Sequence, residues 1–330
     1  MKKRRRGSDF FVNTRLALEP ALRGEADLVV HGGDLLYRSK VPSWLVEQAL
    51  EPLLEVADAG VPVVLVPGNH ERSALPYPLL AAHENLHLLD RPRTVAIDVH
   101  ETRVAVGGFP CERDGIRDRF EALVSECGVL AADSGIRLLC IHQTVEGARV
   151  KGHTFRHGAD IVRGSDIPSG IAAVLCGHIH RSQVLTRDLG GQLLAAPVFY
   201  PGSIERTSLA ESEEPKGFLI LELETSTGDG RVARWVFHEL PARPMCTIAL
   251  DVANLSPTEL ESKIRESFAG LAEDSVVTLR VSGVLEAGSE EVIRASTLRR
   301  LHPPTMSVTL RYVGRPAYLT SFRREAGKVR

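Results

Sequence analysis

Apolar residues in this chain gather into short unbroken runs, each followed by glycine or a polar, chemistry-bearing side chain. Asp27 to Asp34, Val61 to Val66, Arg137 to Ile141 and Ile171 to Leu175 carry such runs. A run of that length without alternation reads as a strand buried on both faces, as in a parallel sheet. Helical spacing appears between them: Phe10 to Leu22 with a stop at Gly24, Trp44 to Ala57, and Ile116 to Cys127. Thr102 to Phe109 and Gln192 to Phe199 read as further strands, and Gln143 to Pro168 as a polar loop that exposes His153 and His157. Lys216 to Glu224 and Arg231 to Leu240 form a hairpin pattern turned at Gly228-Asp229-Gly230.

Pro241 and Pro244 interrupt the chain, and a different rhythm follows. It runs strand (Cys246–Val252), helix (Pro257–Leu271), strand (Ser275–Val284), helix (Glu290–Leu301) and strand (Met306–Tyr312). Ser256 with Glu259 three residues on predicts a capping box at the first of those helices. No chemistry-bearing cluster ends these strands, so the expected division is 1–241 for the main domain and 242–330 for a small α/β domain.

Composition narrows the class. The 330 residues are 43% hydrophobic and 25% charged, enough for a large core and more than one domain. A net charge of −2 excludes a protein bound to nucleic acid through its overall field, so local patches must carry any such role. The five cysteines are scattered without a C-x-x-C pair, which excludes a disulfide framework and a thiolate zinc site and fits a reducing cytoplasm. No run approaches the ~20 apolar residues of a membrane helix. Met1 to Arg6 is basic and reads as a solvated terminus.

The strand ends hold the chemistry. The first run ends in Gly33-Asp34, the second in Gly68-Asn69-His70-Glu71, the fourth in Gly177-His178-Ile179-His180, and His142 follows the third. His31 lies inside its strand and reads as a packed histidine. In a parallel sheet the carboxyl ends lie along one edge, so Asp34, Asn69, His70, His142, His178 and His180 are expected to converge there. Carboxylate, amide oxygen and imidazole together suit Mn²⁺, Fe²⁺ or Zn²⁺. Two such ions about 3.5–4 Å apart can clamp both oxygens of a phosphoryl displacement.

Taken in order, these four motifs resemble the calcineurin-like metallophosphoesterase superfamily. Tyr200-Pro201-Gly202-Ser203-Ile204-Glu205-Arg206, the Lys216-Gly217-Phe218 strand opening and the trailing α/β segment are similar to its SbcD-type DNA repair exonuclease subunits. The resemblance implies an α/β fold: a β-sandwich flanked by helices, with a small C-terminal capping domain. It implies two Mn²⁺ ions: Asp34 would bridge them, Asn69, His142 and His178 would complete one site, and His180 would bind the other. His70 would act at the scissile phosphate, and Glu71 stands where Asp is commoner. It further implies DNA, as ends or single strands, as substrate, an SMC-like SbcC-type ATPase as partner, and room for a homodimer.

The sequence departs from that pattern in two places. The family's opening strand, which ends in Asp-x-His and serves the first metal, has no counterpart before Asp34, so one metal site lacks ligands. The expectation is that Met1 lies downstream of the true start; a degenerate paralogue, or substitution by a residue such as His31, are the other accounts. At the far end Leu319 to Arg330 is short and basic where family members carry a helical ATPase-gripping segment. Two further functions therefore stand beside DNA cleavage: hydrolysis of another phosphoester, and non-catalytic binding of DNA or the ATPase.

Overall fold

In a computed structural model, which describes residues 6–38, 40–71, 83–225 and 230–313, the chain divides into two compact units. The larger holds Phe10–Arg206 and Glu214–Pro241. The smaller holds the residues from Ala242 onward with Thr207–Glu213 and Asp9. The expected turn at Gly228-Asp229 and the basic stretch from Leu319 lie outside the described residues.

The larger unit is layered. Helices α1 (Gly7–Leu22) and α2 (Ser43–Asp58) lie over a parallel sheet of β1 (Val29–His31), β2 (Val63–Leu65) and β3 (Leu86–Leu88), in that order. On α2, Val46, Ala49, Leu50, Leu53, Val56 and Ala57 recur at helical spacing and pack on Val63, Leu65, Leu86 and Leu88. Asn13 of α1 is buried, and its Nδ2 donates to the carbonyls of Ile204 (2.8 Å) and Pro241 (3.1 Å).

The second sheet is built from β4 (Arg93–Val99), β5 (Thr102–Phe109), β6 (Ile136–Ile141), then β11 (Ala173–Cys176), β12 (Gln183–Arg187) and β13 (Leu193–Tyr200). Its order is β12-β13-β11-β6-β5-β4, parallel in the centre with an antiparallel strand at each edge. Helix α3 (Ile116–Cys127) covers its outer face with Ile116, Phe120, Leu123 and Val124. Between the sheets lies a core of Val64, Val66, Val106, Leu138 and Cys140. Leu219, Leu221, Leu223 and Val232 of the hairpin β14 (Gly217–Glu224) and β15 (Arg231–Glu239) pack on that core.

Two expectations change here. The polar loop 143–168 contains short strands, β7 (Thr144–Val145), β8 (Arg149–Val150), β9 (His153–Thr154) and β10 (Ile161–Val162). Val145, Ala148 and Val162 are buried in the core beneath α3, while His153 and His157 are exposed as expected. The strand ends also do not lie along one sheet, because β1 and β2 belong to one layer and β6 and β11 to the other.

The smaller unit is a parallel sheet of β16 (Met245–Asp251), β17 (Val276–Ser282) and β18 (Ser307–Tyr312) with helices α4 (Pro257–Ala269) and α5 (Ala295–Leu301). The capping box forms as predicted, with Ser256 and Glu259 each accepting the other's backbone N–H. Leu260, Ile264 and Phe268 of α4 pack on Val277, Leu279 and Val281. Buried Arg243 pairs with Asp9 at 3.1 Å and donates to the carbonyls of Asp274 and Thr305. Among the described residues no helix is long and apolar enough to cross a membrane.

Candidate metal centre

Strand register sets the site. In the large sheet Cys176 pairs with Ile141, so Gly177 follows directly beside His142, and the Gly177 N–H donates to the Ile141 carbonyl at 2.9 Å. In the small sheet His31 pairs with Leu65, so the loops carrying Asp34 and Asn69 leave the two strands side by side. The loops that follow these four strands, two from each sheet, meet at one place.

Four donor atoms converge. The amide oxygen of Asn69 lies 3.1 Å from His142 Nε2 and 3.1 Å from His178 Nδ1. Those two ring nitrogens are 3.2 Å apart, and Asp34 Oδ2 is 3.3 Å from His142 Nε2. Asp34, His142 and His178 each present one atom within 4.8 Å of the others, the one such His/Cys/Asp/Glu group among the described residues. His142 is 1% exposed, and its Nδ1 faces the Gly32 carbonyl at 2.6 Å. With Nδ1–H donating there, Nε2 is the nitrogen turned into the site, toward Asn69 and Asp34.

Electrostatics sharpen the point. Burial, then the neighbouring His142, drops the His178 pKa to about 4, so this ring is neutral at physiological pH. Burial alone would raise the Asp34 carboxyl, but His142 and the His70 amide outweigh it and hold the pKa below the usual value. A carboxylate oxygen, an amide oxygen and two imidazole nitrogens thus lie within hydrogen-bond distance of one another, and each can turn a lone pair toward a common cation. The donor set fits a divalent transition ion, which competes with protons for these nitrogens.

Backbone strain marks the same place. Asp34 and His178 adopt positive φ, 56° and 81°, a region non-glycine residues rarely enter. Gly33 (φ 94°) has no room for a side chain, since a Cβ would lie 2.6 Å from His142 Nδ1. At Gly177 a Cβ would strike the carbonyl oxygen of Gly32, the same oxygen that His142 holds. Gly177→Ala is therefore expected to push the two sheets' loops apart and weaken Mn²⁺ binding by about ten- to a hundredfold in calorimetric titration. An unchanged affinity would show that the loops do not depend on this contact.

Two buried side chains support the ligand loops: Glu71, which the sequence places directly after Asn69-His70, and Lys216, whose role the sequence does not disclose. Glu71 is fully buried and accepts N–H groups from Asp34 (3.1 Å), Leu36 (3.0 Å) and Gly68 (2.7 Å), binding the two ligand loops together. Burial pushes its carboxyl pKa up, against the pull of the Gly68 and Leu36 amides. Lys216, buried to 1% exposure, donates to the His180 carbonyl at 2.7 Å and holds the loop that follows His178.

The remaining residues named from sequence stand apart. His70 is half exposed, its Nε2 3.8 Å from Asp34 Oδ2 and its amide donating to Asp34 Oδ1. The side chain of His180 is outside the Asp34–His142–His178 group. His31 accepts from the Gly33 amide at 3.1 Å, and burial lowers its pKa to about 4, as fits a packed neutral ring.

Residues 9–182, a span that includes all six strand-end residues, match the calcineurin-like phosphoesterase family. The chain belongs to that family. The chain is similar to proteins named DNA double-strand break repair protein Mre11. It is 26% identical to that of Aeropyrum pernix over 263 residues, 76% of this chain and 59% of the relative. It is 28% identical to that of Haloferax volcanii over 290 residues, 84% of this chain and 57% of the relative. It is 27% identical to that of Archaeoglobus fulgidus over 221 residues, 63% and 48% of the two. The chain spans about half to three fifths of the length of these curated relatives. Membership implies use of a divalent metal, and the Asp34, Asn69, His142 and His178 donors fit one.

Proposed function

We propose that this chain hydrolyses phosphodiester bonds in DNA, as an exonuclease or endonuclease acting at ends or single strands. The observation that carries this reading is the meeting of four cation-seeking donors from the strand-end loops of two sheets. The relatives, named for double-strand-break repair, supply the substrate class.

Asp34, Asn69, His142 and His178 would hold one ion, and Asp34 with His180 would contribute to a second. Mn²⁺ is the ion this reading favours. A bound divalent ion supplies Lewis acidity at the phosphoryl oxygen and a nucleophile at neutral pH. The chain's own residues orient and protect. Asp34 fixes the charge at the centre, and Gly32 holds His142 in its ligating tautomer. His70, at the exposed rim beside Asp34, is placed to stabilise the scissile phosphate or deliver a proton to the leaving oxygen. A cytoplasmic setting, an SMC-like ATPase partner and a homodimer belong to the same reading. Five free cysteines accord with a reducing compartment.

A second reading, binding of DNA or the ATPase without cutting, is favoured by one feature. Only one group of three ligating side chains forms among the described residues. The test separates the readings. Protein saturated with Mn²⁺ is offered labelled duplex DNA, single-stranded DNA and a small model diester. Cleavage of DNA that falls at least a hundredfold in His178→Ala and His70→Ala is the expected result. Diester hydrolysis without DNA cleavage would move the substrate elsewhere, and DNA binding without turnover would establish the second reading. DNA cleavage unchanged by both substitutions would refute the site.

A further inference from the structure

We propose that Arg113 is a positioning residue for His70, acting by holding the Asn69–His70 peptide from the end opposite Asp34. The inference deepens the hydrolytic reading above and rests on it.

Register brings a fifth strand end to the site. Phe109, the last residue of β5, pairs with Ile141, the last of β6, so the loop after β5 leaves the large sheet level with His142. That loop, Pro110 to Gly115, leads into α3. Its Cys111 N–H donates to the Pro67 carbonyl at 3.0 Å, which lays it along the loop carrying Asn69 and His70. Two residues further on, the Arg113 guanidinium donates through Nη2 to the Asn69 carbonyl, 44 residues away in sequence.

The partner of Arg113 is the telling feature. It stands between Glu112 and Asp114, where an arginine reads as one more solvated charge of a polar loop. Glu112 pairs with Arg119 at 2.5 Å, and no carboxylate among the described residues pairs with Arg113. The guanidinium takes a backbone carbonyl instead. That carbonyl belongs to the peptide whose N–H is that of His70, and this N–H donates to Asp34 Oδ1 at 3.1 Å. One peptide unit is thus clamped at both ends, a guanidinium on its oxygen and a carboxylate on its hydrogen. Each ionised partner strengthens the bond it makes.

What the clamp orients is His70. The Asn69 side chain has other holds, since its oxygen lies 3.1 Å from both His142 Nε2 and His178 Nδ1. The His70 ring is half exposed and lies 3.8 Å from Asp34 Oδ2, too far for a hydrogen bond. Its backbone therefore sets its aim. A group that stabilises charge or delivers a proton works over about 3 Å, so a small rotation of this peptide lowers the rate.

The test assays the full chain with Mn²⁺ on a small model diester. Arg113→Met should lower kcat about tenfold while KM and Mn²⁺ affinity stay within about threefold of the parent, because the clamp acts on turnover. Arg113→Lys, whose ammonium can donate to the same carbonyl, should recover most of the loss. Asp114→Asn, a charge change in the same loop outside the clamp, should match the parent. In a His70→Ala background Arg113→Met should cost nothing further, since two residues acting as one unit are not additive. A second measurement needs no turnover: by NMR on the metal-free chain, the His70 N–H should exchange about tenfold faster in Arg113→Met than in the parent. The proposal is overturned by unchanged kcat and exchange in Arg113→Met, or by a rise in KM at constant kcat, which marks a substrate contact. It is also overturned by an equal loss in Asp114→Asn, by a loss that comes with a lowered melting temperature, or by an additive loss in His70→Ala. If no form hydrolyses the diester while His70 exchange still answers to Arg113, the hydrolytic reading fails and the clamp stands.

Discussion

Asp34→Asn is expected to lower Mn²⁺-dependent phosphodiester hydrolysis by about a thousandfold, equivalent to about 4 kcal/mol of lost transition-state stabilisation. The substitution is chosen so that folding does not confuse the result. Asparagine is the side chain of nearly equal shape, and it tolerates the positive φ of 56° at this position better than most residues. Its amide oxygen can still accept the His70 N–H that Asp34 Oδ1 takes at 3.1 Å. What it removes is the one carboxylate of the donor group; Asn69 and the two imidazoles bring no negative charge of their own. A thermal melt should be near that of the parent, while calorimetric titration should show Mn²⁺ bound at least a hundredfold more weakly. Hydrolysis within tenfold of the parent would mean that the convergent donors are not the seat of the reaction.

The sequence disclosed the donors better than their arrangement. Each apolar run marks a strand, and what stands after it is legible because a buried strand must end where polar atoms can appear. Runs say which faces are buried, not which strands pair. Hence one sheet edge was expected, where Asp34 and Asn69 come from a small sheet and His142 and His178 from a large one. Leu86–Leu88 was too short to register, and Gln183–Arg187 has no buried face to give it a period. In the 143–168 segment apolar residues are spaced among polar ones, and only the cover given by α3 shows that Val145 and Val162 are core. The buried charges were the least legible. A lone lysine reads as solvated, yet Lys216 earns its place through a backbone carbonyl 36 residues away.

Glu71 gives the second large effect, on stability and metal affinity together. The carboxylate is wholly buried and takes three amide hydrogens, from Asp34 and Leu36 on one loop and Gly68 on the other. Glu71→Ala would leave three buried N–H groups without an acceptor, at about 1–3 kcal/mol each. A destabilisation of roughly 3–6 kcal/mol is expected in urea titration, a large part of a typical domain's 5–15 kcal/mol. Because both loops carry ligands, Mn²⁺ affinity should fall with it even where the protein remains folded. Glu71→Gln is the informative companion: it restores one acceptor oxygen but turns an NH₂ toward amides that also donate. It should recover only part of the stability, whereas a side chain that merely filled space would be replaced by glutamine without loss. A Glu71→Ala midpoint equal to the parent's would show that water reaches those amides and that the loops are held by the glycine contacts alone.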